Sequence, residues 1–143
     1  FYKFLIQEKI VEENPTILIS SPSIGRHLPD VLSYNEIISI INAIDLSQQF
    51  GHRNKAIIEV LYACGLRVSE IISLRISNIY NKDEFIRVLG KGNKERLIPI
   101  ARSTLKTIDL YIENERRRQY IDPKYTDIVF INKRGTALSR QMI

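Results

Sequence analysis

The chain of 143 residues carries 21 Lys and Arg against 16 Asp and Glu, a net charge of +5 with an isoelectric point near 9.4, which fits a nucleic-acid partner without requiring one. Its one cysteine, Cys64, excludes an internal disulfide and a thiolate metal cluster and suits a reducing compartment, while two isolated histidines, His27 and His52, offer no zinc spacing. No apolar run reaches the roughly 20 residues that span a bilayer and no signal peptide is visible, so the expectation is a soluble, cytoplasmic chain without a membrane partner; starting on Phe1 rather than Met, it reads as a piece of something longer.

From Phe1 to about Glu13, apolar and charged residues alternate at helical spacing and predict the end of a helix that begins upstream. Asn14-Pro15 is expected to stop it. Residues 14–32 hold Pro15, Pro22 and Pro29 among Ser20, Ser21, Ser23 and Gly25, the composition of an extended linker. Ser33 and Glu36 then form the pattern of a capping box. The helix it opens is expected to bury Ile37, Ile40, Ile41 and Ile44. A further helix is predicted from about Arg53, with Ile57, Val60, Leu61 and Cys64 as its stripe and Gly65 as a left-handed end. A short one follows from near Arg67, burying Val68, Ile71, Ile72 and Leu74.

Beyond a polar connection over 78–84, the period changes. Phe85–Leu89 and Arg96–Ile100 read as two strands around a Gly-Lys-Gly-Asn turn. Helical spacing returns from Ser103 to about Arg118 (Leu105, Ile108, Ile112) and ends in Arg116-Arg117-Arg118. Residues 128–131 predict one more short strand, Arg134-Gly135 a turn, and Ser139 the N-cap of a helix. The fold class is mainly α with a small antiparallel sheet, α+β.

Two turns hold the residues with chemistry. Arg67 follows a glycine break and precedes Glu70 by three positions, so Glu70 can reach back and fix it. A guanidinium held in that way can make two parallel bonds to a phosphate; the plainer alternative is a surface ion pair of small worth. Lys91 sits between Gly90 and Gly92, which suit a tight, mobile hairpin turn. A lysine there can approach a polyanion and donate a proton, or it is an ordinary solvated turn residue. Lys94 and Arg96 suit phosphate contacts. For Arg116–Arg118 a DNA patch competes with a helix end favoured by its dipole, and Cys64 reads as a small buried hydrophobe.

Together, two segments resemble the tyrosine recombinases of the bacterial XerC/XerD type. Leu61-Tyr62-Ala63-Cys64-Gly65-Leu66-Arg67-Val68-Ser69-Glu70 is similar to that family's first-arginine motif. Gly90-Lys91-Gly92-Asn93-Lys94-Glu95-Arg96-Leu97-Ile98-Pro99 is similar to its β-hairpin lysine motif, in the family's order and separation. The resemblance implies that residues 1–13 end an N-terminal DNA-clamping domain, 14–32 link the domains, and 33–143 form the N-terminal part of the catalytic domain. It implies that Arg67 binds the scissile phosphate, that Lys91 is a general acid toward the leaving 5′-oxygen, and that Glu70 supports the site from behind. Ser139-Arg140-Gln141 resembles the start of the family's major-groove helix, which makes Arg140 and Gln141 candidates for base contacts. The family's His-x-x-Arg motif and nucleophilic tyrosine are expected beyond Ile143. The implied activity is strand exchange on double-stranded DNA through a 3′-phosphotyrosine link, by four protomers, often with a paralogous recombinase, and without a metal or nucleotide cofactor. Alternatives are an integrase of a phage or conjugative element, and a non-catalytic DNA-binding protein on the same fold.

Overall fold

The computed structural model describes residues 1–16, 18–19, 31–90, 92 and 94–143. The chain divides into two units, Phe1–Val31 and Leu32–Ile143. In the first, helix α1 covers only Tyr2–Gln7. The expected helix to Glu13 stops early because Lys9 adopts a left-handed φ of 56° and Ile10 N–H turns back to the Leu5 carbonyl. Most of the expected linker falls on 20–30, outside the described residues.

The second unit opens with α2, Tyr34–Asn42, on the predicted capping box: the Glu36 N–H donates to Ser33 Oγ, and Ser33 N–H to Glu36 Oε2 at 2.7 Å. Such a cap is worth about 1 kcal/mol. Of its isoleucines only Ile41 is buried, and Ile40 is exposed rather than buried as expected. Helix α3, Gly51–Cys64, starts two residues before the predicted Arg53. Gly51 is required there, since a Cβ would lie 2.3 Å from the Asp45 carbonyl oxygen. The first turn of α3 is capped from far along the chain: the N–H groups of His52 and Arg53 donate to the two oxygens of Glu115. Gly65 ends the helix with φ 57°, as predicted.

Leu66 is buried and α4, Val68–Ile72, follows at once. A five-residue helix does not hold itself together in water. It is anchored by Ile71 and Leu74, 0% and 2% exposed, each buried side chain being worth about 1.5–3 kcal/mol.

The sheet has the order β1-β2-β3 and is antiparallel throughout, with β1 Ile79–Tyr80, β2 Phe85–Leu89 and β3 Glu95–Pro99. The expected polar connection at 78–84 thus contains a two-residue strand, pairing Ile79 with Ile86 and Tyr80 with Phe85. Conversely, 128–131 is no strand. It makes single bridges, Arg75 with Ile128 and Ile131 with Ala137, and Val129 N–H donates to the Leu74 carbonyl. Its apolar run is core filling: Val129, Phe130 and Ile131 are fully buried, with Phe130 stacked on Tyr111.

Helix α5, Arg102–Asn114, buries Thr104, Leu105, Ile108 and Tyr111 against α3. It ends four residues before the predicted Arg118, where Glu115 leaves helical geometry to cap α3. Arg116 then turns inward at 6% exposure and donates to the carbonyls of Ile128 and Thr126. Neither a DNA patch nor a solvated helix end describes Arg116. At Ser139 the expected helix is a single 3-10 turn, Arg140–Met142, with no side-chain cap.

Candidate active site at the start of α4

The left-handed break at Gly65 reverses the chain, and Leu66 plugs the core, so Arg67 emerges at the N-cap of α4 in extended geometry, φ −73° and ψ 153°. Glu70, one turn on, faces inward and is 4% exposed. It accepts three hydrogen bonds: from Arg67 N–H to Oε2 at 2.7 Å, from Arg67 Nη1 to Oε1 at 2.9 Å, and from Arg96 Nη2 to Oε2 at 2.8 Å. Burial pushes the Glu70 carboxyl up. The bonds from Arg67 and the charges of Arg96 and Arg67 outweigh it and hold the pKa below the usual carboxylate value.

The Arg67 side chain nevertheless remains 62% exposed. Among the described residues Glu70 is the only acceptor on its guanidinium, which has five N–H donors in all. One edge is therefore fixed and the rest is presented outward, the geometry that suits a bidentate phosphate contact.

Arg96 reaches Glu70 from β3, where it pairs with Val88 of β2. The hairpin closes between Gly90 N–H and the Lys94 carbonyl at 2.8 Å, and Gly92 takes the left-handed φ of 76° that the turn needs. Lys91, the predicted general acid, lies outside the described residues. Lys94 is exposed at the hairpin's end. Arg140 and Gln141 are exposed on the 3-10 turn, which packs beside α4. The fold thus brings Arg67, Glu70 and Arg96 into bonding contact; Lys94, Arg140 and Gln141 make no side-chain bond to that trio.

Sequence reasoning missed the neighbourhood of a cavity of about 380 Å³ beside Glu70, lined also by Ser73, Arg75, Ser77 and Arg87. Arg87 donates to Asn78 Oδ1 at 2.8 Å and pairs with Glu95, while Arg75 pairs with Asp127. These partners lie 8 to 52 positions apart, so no local spacing announces them. Cys64 is buried and burial raises its pKa, which leaves an unreactive thiol. Tyr111 is equally unsuited to nucleophilic attack: it is fully buried, accepts from Ile131 N–H, and burial pushes its phenol up to about 12. Among the described residues no His, Cys, Asp and Glu group has metal-site geometry, and no helix is long and apolar enough to cross a membrane.

A model of the phage integrase family matches residues 30–143. The chain belongs to the phage integrase family. It is 39% identical over all 143 residues to tyrosine recombinase XerD of Staphylococcus aureus, covering 48% of that protein, and equally to XerD of Staphylococcus haemolyticus. The chain therefore spans about half the length of the curated relatives it matches. The crystal structure of XerA recombinase superposes with a TM-score of 0.68 at 27% identity, over 99% of this chain and 47% of that one. XerH recombinase bound to palindromic difH substrate, a post-cleavage complex, gives 0.70 at 24% identity over 83% and 34% of the two chains, a likeness of fold. The XerC/XerD resemblance and the α+β class with its small antiparallel sheet are thereby supported.

Proposed function

We propose that the protein to which these residues belong is a site-specific DNA recombinase that cuts and rejoins strands through a 3′-phosphotyrosine link. The observation that carries this reading is the exposed Arg67 guanidinium held at one edge by buried Glu70, on a chain of the phage integrase family. Arg67 binds the scissile phosphate and stabilises charge on its non-bridging oxygens as the bond order changes. A tyrosine oxygen outside these residues attacks phosphorus, the bond to the 5′-oxygen breaks, and Lys91 supplies the proton that oxygen takes up. Rejoining runs the same steps backward, and the bond energy kept in the phosphotyrosine makes a cofactor unnecessary.

Lys94 adds a phosphate contact on the hairpin, and Arg96 adds positive charge beside it. Arg140 and Gln141 read base edges in the major groove, Arg suited to guanine and Gln to adenine. Residues 1–13 and 14–32 end a DNA-clamping domain and link it to the catalytic one. Double-stranded DNA is the substrate, engaged by four protomers, in some systems two related recombinases. Similarity to XerD favours chromosome-dimer resolution over integration of a mobile element.

Trapping tests the reading. Incubating the complete protein with a nicked recombination site and resolving the products on a denaturing gel should give a covalent protein–DNA adduct. Sequence-specific binding with no adduct under any condition would leave a DNA-binding protein on a recombinase fold.

A further inference from the structure

Glu70 joins two elements through one carboxylate. Arg67 holds Oε1 from the N-cap of α4, and Arg96, 26 residues beyond Glu70, holds Oε2 from β3. The hairpin base stands close by, since a Cβ on Gly90 would lie 3.8 Å from Glu70 Oε1. Among the described residues Arg96 makes the one side-chain hydrogen bond between β3 and Glu70. β3 is also the edge of the sheet, held by its pairing with β2 and by Ile98 against the core, while Arg96 and Leu97 lie on its exposed part.

Two cations on one anion have a consequence for Arg67. With Arg96 in place the trio carries one net positive charge, and Oε2 is engaged by donors on both sides, so Oε1 stays turned toward Arg67. Without Arg96 the remaining Arg67–Glu70 pair is neutral, Oε2 keeps only the Arg67 backbone N–H, and the carboxylate can tilt to take a second donor of the one remaining guanidinium. That would turn toward Glu70 the fork that otherwise faces outward.

We propose that Arg96 is a positioning residue, which by holding Glu70 Oε2 keeps the Arg67 guanidinium aimed outward at the phosphate. The inference rests on the reading of Arg67 as the phosphate-binding arginine. A displacement near 1 Å at such a site lowers rates by about 10²-fold. A direct phosphate contact would act differently, through affinity and its salt dependence.

The test uses the complete protein with Arg96→Met and Arg96→Lys, each alone and on an Arg67→Ala background. Arg96→Met should slow adduct formation at saturating DNA by roughly 10–100-fold, with affinity within about 3-fold and the salt slope unchanged. Arg96→Lys keeps a charge and a donor for Oε2 and should recover most of that rate. On Arg67→Ala, Arg96→Met should change the rate by less than about 3-fold, since coupled residues are not additive. The acid limb of the rate profile should move upward in Arg96→Met, because Glu70 has lost a cation that helps keep it ionised. Loss of affinity and salt slope at an unchanged saturated rate would make Arg96 a phosphate contact and overturn the proposal, as would multiplicative losses with Arg67→Ala. A DNA-free measurement separates this from the catalytic reading. The Arg67 Nε–H signal in ¹⁵N NMR should shift and exchange more slowly with water in Arg96→Met, as the guanidinium turns onto Glu70, and an unchanged signal would refute positioning. Full cleavage by Arg67→Ala would sink the catalytic reading instead.

Discussion

Two arginines, Arg67 and Arg116, are each fixed by hydrogen bonds at a helix boundary, and they serve opposite ends. Arg116 follows α5 and turns its donors into the protein: Nε and Nη2 meet the Ile128 carbonyl at 3.1 and 2.9 Å, and Nη2 meets that of Thr126 at 2.6 Å. Arg67 precedes α4 and commits one edge to Glu70 while its side chain stays 62% exposed. The adjoining carboxylates differ in the same sense. Glu115 caps α3 from more than 60 residues away and ties two helices together. Glu70 caps its own helix and aims its own arginine. A buried cation whose Nε and Nη2 are spent on carbonyls is architecture; one with a fixed edge and an open fork is poised for a ligand.

The comparison is sharpened most by the cation with the largest expected effect. Lys91→Ala in the complete protein should slow cleavage of ordinary DNA by about 10²–10⁴-fold, the range for a positioned proton donor. It should be near wild type on DNA whose bridging 5′-oxygen is sulfur, since a thiolate leaves without an acid. Equal slowness on both substrates would mean that Lys91 positions DNA instead of donating a proton. Next comes Arg116→Ala, which leaves the part-buried Ile128 and Thr126 carbonyls without their donor and should destabilise the fold by about 2 kcal/mol, read from urea unfolding. A loss within about 0.5 kcal/mol, the range of unremarkable surface changes, would erase the contrast with Arg67.

Arg140→Ala and Gln141→Ala should each relax sequence preference at one or two base pairs, worth about 1–3 kcal/mol for each good contact. Equal weakening on all sequences would class them as phosphate contacts. The smallest effect is in acid. Glu70 and Asp127 are both partly desolvated, which raises their pKa values; hydrogen bonds from Arg67 to Glu70 and from Ser77 to Asp127, and the charges of nearby arginines, more than reverse this. Depressed carboxyls stabilise the fold above the unfolded pKa values, about 4, and that stability is lost as pH falls through the lower folded ones. Urea unfolding from pH 7 to pH 3 should show the decline, and Glu70→Gln should make it shallower.

Much of this was readable along the chain because its determinants are local. Ser33 and Glu36 specify their cap within one turn, Gly65 marks a left-handed end, and Arg67 and Glu70 meet at a spacing of three. What escaped depends on tertiary proximity. Arg116 reads as one cation in a run of three, and only the return of residues 126–128 makes it a buried clamp. Arg96 reads as a phosphate contact because nothing near it in sequence suggests Glu70. β1 is too short to display a period, and 128–131 has the apolar composition of a strand without a partner strand beside it. Which arginine has an open fork is therefore a property of the fold, even where its motif is plain.

The most direct test of that property is single-turnover cleavage by Arg67→Ala and Arg67→Lys in the complete protein at saturating DNA, alongside DNA affinity and urea unfolding. The account predicts a 10²–10³-fold loss of rate in Arg67→Ala, the scale for one transition-state donor, with affinity nearly intact and stability within about 1 kcal/mol. Arg67→Lys should rescue little, since an ammonium lacks the bidentate fork. A variant that cleaves at the parent rate, or one that loses stability as Arg116→Ala does and cleaves normally once folded, would contradict it.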